Sequence, residues 1–126
     1  LQANHFIRNV KLEKGDFPPV IDIEELGNVS PKRLMEGVLK CAKKMEEHYG
    51  KKPIIYTYHD FYKNNFDTTF NSYPLWIAHY YKETPSNKMW EFWQHNDNGR
   101  VSGINYPVDF NVFSGDSVAF IHILMN

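Results

Sequence analysis

The sequence predicts an α/β fold. Three observations carry this: the apolar run "PPVIDIEE" at residues 18–25, the strongly patterned helix after it, and the β-branched and aromatic run "PIIYTY" after that. Strands separated by helices imply a parallel sheet with right-handed crossovers. The chain of 126 residues suffices for one domain with a modest core.

Taken in order, Leu1, His5, Phe6 and Val10 fall at helical spacing, and "KGDFPP" then breaks the helix. These opening residues read as the middle of a helix rather than as a secretory signal, so a processed or truncated chain is expected. Val20–Glu25 reads as a strand. In the next segment Ser30 suits an N-cap and Pro31 the first helical position. Leu34, Val38, Cys41 and Met45 repeat along one face, with Leu39 and Ala42 widening it. Gly50 is the expected stop, and Cys41 the expected buried thiol. "PIIYTY" reads as a strand and "HDFYKNNF" as a short helix or turn. "YPLWIAHYY", "KMWEFWQHN" (ended by "DNGR") and "YPVDFNVF" read as three more strands. Their connections are too short for full helices. The closing "VAFIHILMN" is expected to pack as a strand or helix.

Composition excludes several function classes. The net charge is -1 and the basic residues of 32–52 alternate with Glu, so no nucleic-acid footprint is present. One cysteine excludes an internal disulfide. No stretch is long and apolar enough to span a membrane. A G-x-S-x-G elbow and a Gly-rich phosphate loop are both missing.

The candidate chemistry lies on strand ends. Side chains alternate with period two, so Asp22 and Glu24 share one face while Ile21 and Ile23 face the other. Two neighbouring carboxylates raise each other's proton affinity, which lets one donate a proton while the other stays charged. Cleavage of a glycosidic bond needs that division of roles. A solvated strand end is the plainer reading, and a divalent-metal site a third, weakened by six scattered histidines. Asp109 and Asn111 share a face of the last strand, either as site residues or with Asp109 capping a turn. Trp76, Ala78 and Tyr80 share one face, as do Trp90, Phe92 and Gln94. Such stripes serve a core or a groove. A small Ala between rings and a Gln ending an apolar face fit a sugar groove.

The pieces "FPPVIDIEE", "KPIIYTY", "PLWIAHY", "WEFWQH" and "VDFNVFSG", in this order, resemble glycoside hydrolase family 25, the lysozymes or N-acetylmuramidases. "QANHFIRNV" looks like the family helix before the Asp-x-Glu strand, so the resemblance covers nearly the whole chain. It implies a partial, modified TIM-like β/α barrel, with residues 1–126 a single C-terminal portion of the catalytic domain. Strands four to eight would be present and the first strands, with one active-site Asp, absent. Either an N-terminal segment or another copy of the chain would then complete the barrel. The implied reaction is hydrolysis of the β-1,4 bond between N-acetylmuramic acid and N-acetylglucosamine in peptidoglycan. Glu24 resembles the general acid, Asp22 its partner carboxylate and Asp109 the acid of the last strand. Tyr56, Trp76, Tyr80 and Gln94 match sugar-lining positions. No cofactor or metal is implied, and the expected location is extracellular or the cell envelope. The rival reading is a non-catalytic glycan-binding remnant, and a chitinase-like enzyme is a weaker third.

Overall fold

Period-two alternation sorts the side chains of five short strands onto two unlike faces, and the long helix of residues 31–49 packs on one of them. The computed structural model describes residues 1–81, 83–85 and 90–126. The elements are α1 (Gln2–Asn9), β1 (Val20–Asp22), α2 (Pro31–Tyr49), β2 (Ile54–Tyr58) and α3 (His59–Asn65). A 3₁₀ turn (Thr68–Phe70), β3 (Leu75–Ala78), β4 (Phe92–Gly99), β5 (Val108–Phe113) and α4 (Ser117–Ile123) follow. The sheet order is β1-β2-β3-β4-β5, which leaves β1 and β5 at the edges.

The covered face holds the core. Ile23, Ile55, Leu75 and Ile77 pack against Met35, Val38 and Ala42 of α2, and against Tyr62, Phe70 and Tyr73. Each fully buried aliphatic chain contributes roughly 1.5–3 kcal/mol. Helix α2 is built as its ends predict. Ser30 Oγ accepts from the Arg33 amide at 3.3 Å, Pro31 opens the helix, and Gly50 ends it at φ 78°. That left-handed geometry is one a Cβ disfavours.

The opposite face carries the polar and aromatic residues. One register row runs Asp22, Tyr56, Trp76, Phe92, Phe113, and the next runs Tyr58, Ala78, Gln94, Asn111. At the N-terminal end of the parallel strands, Phe120 of α4 meets Phe113 at 5.4 Å, Phe17 at 5.5 Å and Phe92 at 6.3 Å. The Met125 amide donates to the Asp16 carbonyl at 2.8 Å and ties this end down.

Several expectations need correction. Strand β1 spans only Val20–Asp22, because beyond Asp22 only the Ile23 amide still pairs, with the Tyr56 carbonyl at 3.0 Å. Strand β4 begins at Phe92 and runs on through Asp97, Asn98 and Gly99, where a stop was expected. Strand β5 is antiparallel to β4, because a loop without a helix joins them and turns the chain back. Trp90 lies outside β4 and packs with Trp93, 5.8 Å away, toward the core rather than the groove. Cys41 is only half-buried. Lys88 and Met89, placed in the fourth strand by the sequence, lie outside the described residues. Among the described residues, no helix is long and apolar enough to cross a membrane.

Candidate active site

Asp22 ends β1, and Glu24 follows just past the strand. The connection is held from below: the Thr57 hydroxyl, fully buried, donates to the Ile23 carbonyl at 2.6 Å. Both carboxylates are exposed. Glu24's carboxyl is raised above its ordinary range. Partial desolvation leads, followed by the charge of Asp22, a hydrogen bond with Asp22, and the charge of Glu25. Removing water and adding like charges both disfavour the anion.

Next to Asp22 in the register is Tyr56, whose ring meets Trp76 edge-on at 5.0 Å. The Tyr56 hydroxyl donates to Gln94 Oε1 at 2.8 Å, and the Tyr80 hydroxyl donates to the same oxygen at 2.5 Å. With its oxygen occupied by two donors, Gln94 turns its amide nitrogen to Asp109 and donates to Oδ2 at 3.2 Å. Gln94 is 5% exposed, so its partners satisfy a buried amide. Trp76 Nε1 donates to Asn111 Oδ1 at 2.8 Å, which ties the ring to β5.

The phenols titrate late. Burial first, then the charges of Tyr80 and Tyr58 and the hydrogen bond to Tyr80, with Glu24 last, raise Tyr56. Tyr80 is pushed up to about 12, by burial and then by Tyr58, with Asp97 and Asp109 adding to it. Both remain neutral hydroxyls at ordinary pH.

All seven sequence-singled residues thus lie on one face. Tyr56, Tyr80, Gln94 and Asp109 form one hydrogen-bonded cluster, Trp76 flanks it, and Asp22 and Glu24 stand at the β1 edge. Among the described residues, no group of three His, Cys, Asp or Glu is arranged to hold a metal. Tyr58 was missed, though its ring lies 6.3 Å from Tyr80 and period two from Tyr56 points to it.

The family model for glycosyl hydrolases family 25 matches residues 1–104. The chain belongs to this family. It is 50% identical over 117 residues to the protein YegX of Escherichia coli, covering 91% of this chain and 43% of that one. It is 32% identical over 114 residues to the autolytic lysozyme of Clostridium acetobutylicum, covering 90% and 35%. The structure of a family 25 glycosyl hydrolase from Bacillus anthracis superimposes with a TM-score of 0.85 at 31% identity, covering 98% of this chain and 62% of that one. The family 25 chain therefore spans less than half the length of these curated relatives. Its five-stranded mixed α/β fold is the fold it shares with that solved family 25 structure.

Proposed function

We propose that this chain is the C-terminal portion of a family 25 catalytic domain that hydrolyses the β-1,4 bond between N-acetylmuramic acid and N-acetylglucosamine in peptidoglycan. One observation carries the reading. A carboxyl with raised proton affinity, Glu24, stands beside Asp22 on the same face as a Tyr–Gln–Asp hydrogen-bonded cluster. Membership of glycosyl hydrolases family 25 and identity to an autolytic lysozyme support it.

In this mechanism Glu24 gives its proton to the glycosidic oxygen as the bond breaks. Asp22 is the partner carboxylate and either orients the substrate's acetamido group or stabilises the positive charge developing at the anomeric carbon. Asp109, held by Gln94, adds negative charge from the opposite edge of the sheet. Trp76, Tyr56 and Tyr80 offer ring faces and hydroxyls to the sugar. Inversion of the anomeric configuration in the product would rule out participation by the acetamido group.

The sheet would correspond to strands four to eight of an eight-stranded barrel, completed by an N-terminal segment or a second copy. The place of action would be the cell envelope or beyond it. The test is clearing of peptidoglycan turbidity by the full-length domain and by its Glu24→Gln variant. Loss of clearing in the variant supports the assignment, and undiminished clearing removes Glu24 from the role of acid.

A second reading has its own observation: β1 and β5 are both open edges, so the sheet of this chain is not closed. Under it the 126-residue chain alone binds glycan without cleaving it. Turnover by that chain would reject this reading.

A further inference from the structure

His59 and His79 take no part in the reaction proposed above. They lie far apart in sequence, but parallel pairing of Tyr58 with Ala78 brings them together at the C-terminal ends of β2 and β3. Their ring centroids are 4.3 Å apart with planes tilted by 34°. The two rings line a cavity of about 390 Å³ together with Tyr58, Asp60, Tyr80 and Tyr81. Tyr81 packs 5.0 Å from His79, and Tyr58 packs 6.3 Å from Tyr80, so aromatic rings form most of the wall.

The polar groups of this wall accept hydrogen bonds. A carboxylate has only lone pairs to offer, so the 3.2 Å contact between His59 Nδ1 and Asp60 Oδ1 makes Nδ1 the donor. In the neutral ring Nε2 is then an acceptor. The Tyr80 hydroxyl donates its proton to Gln94 Oε1 at 2.5 Å, which leaves its oxygen able only to accept. The charges have the same sign. The Asp60 carboxylate is 81% exposed, and no Lys or Arg lines the cavity among the described residues. His79 is held toward its neutral form by burial first and then by His59, against the smaller effects of Asp60 and Glu83. Tyr80 is raised by burial and then by Tyr58, and the charges of Asp97 and Asp109 add to it.

A ligand suited to such a wall brings N–H donors and a positive charge. Ring faces attract a cation, and a carboxylate beside them adds a charge-assisted hydrogen bond. An anion would meet acids and lone pairs. A metal ion is a poor fit, because no group of three His, Cys, Asp or Glu among the described residues is arranged to hold one.

We propose that this cavity binds a primary ammonium group, seated against the rings of Tyr58, Tyr80 and Tyr81 and hydrogen-bonded to Asp60 and His59. The site does not depend on the glycosidase reading. An amino-acid side chain or an amino sugar could carry the group. A bound ammonium and a protonated imidazole repel each other, and a primary alkylamine stays charged throughout the histidine range. Binding therefore strengthens as pH rises through that range, and it lowers the His79 titration midpoint.

The experiment follows the imidazole Cε1–H NMR signals of the 126-residue chain. The probes are n-butylammonium, neutral n-butanol and anionic butyrate, which are similar in size and differ in charge. The expected result is that n-butylammonium moves the His59 and His79 signals and lowers the His79 midpoint, while the other two do not. Asp60→Asn and Tyr81→Leu should each weaken n-butylammonium roughly threefold, the scale of an exposed charge pair or an exposed cation–π contact. Nα-acetyl-L-lysine amide and glucosamine then compare the two sources, and the tighter binder identifies the one that fits. Signals that stay fixed with n-butylammonium, or that move equally with n-butanol or butyrate, overturn the proposal. An affinity unchanged in both variants overturns it too, because the amine then binds elsewhere. Absence of turnover leaves this site standing, and silent histidines leave the role of Glu24 standing.

Discussion

Thr57 donates its hydroxyl to the carbonyl of Ile23 at 2.6 Å, one residue before Glu24. The bond joins the middle of β2 to the chain just past β1, where the ladder has ended. It fixes the direction in which the next side chain leaves the sheet. Because Thr57 is fully buried, water cannot replace the donor.

Thr57→Val keeps the shape and removes the hydroxyl, leaving a buried carbonyl with one partner fewer. The expected cost is about 1–3 kcal/mol in urea unfolding. Activity should fall further than stability alone explains, because Glu24 loses its support. A variant equal to the parent in both measurements would show that the bond positions nothing.

Tyr80→Phe tests the cluster through alkaline unfolding. A folded-state value of about 12 against an ordinary value of 10.0 means that the folded protein holds this proton more tightly. The stability linked to Tyr80 is therefore complete below pH 10 and lost as pH rises toward 12. Melting temperature should drop across that window in the parent. The drop should be shallower in Tyr80→Phe, and an unchanged slope would detach Tyr80 from the alkaline transition.

Gly50 ends α2 at φ 78°, with nothing within 4 Å of where a Cβ would stand. The cost of Gly50→Ala is therefore purely conformational, about 1–2 kcal/mol. Chemical denaturation should read that loss with the catalytic parameters unchanged per folded molecule.

Helix α2 was legible because its signals are local: a cap, a proline, an apolar stripe and a glycine stop. The shared face of Asp22 and Glu24 was legible for the same reason, since period two needs only neighbouring residues. Lengths and directions were not. "PPVIDIEE" looks like a longer strand, but only Val20–Asp22 pairs in register with β2, and no local signal states where a partner ends. The reversal of β5 depends on a loop rather than on its own residues. The His59–His79 contact depends on the register of β2 against β3, which two distant positions in a sequence do not display. Gln94 could be placed on a groove face, but its two phenol donors and its bond to Asp109 required the assembled sheet.

The raised proton affinity of Glu24 also fixes the sign of a pH effect. A general acid works while protonated, so the basic limb of the rate profile should lie above the ordinary value of 4.5. Removing the Asp22 charge with Asp22→Asn takes away one of the two largest causes, and the limb should move to lower pH. A limb that stays in place or moves upward would separate Asp22 from the titration of Glu24.

The most direct measurement is the rate of reducing-end release from peptidoglycan by the full-length domain, parent against Glu24→Gln, with kcat and KM resolved. The glutamine keeps the shape and hydrogen bonding of the side chain but has no proton to give. The account predicts a fall in kcat of about 10²–10⁴-fold with little change in KM. An unchanged kcat would contradict it.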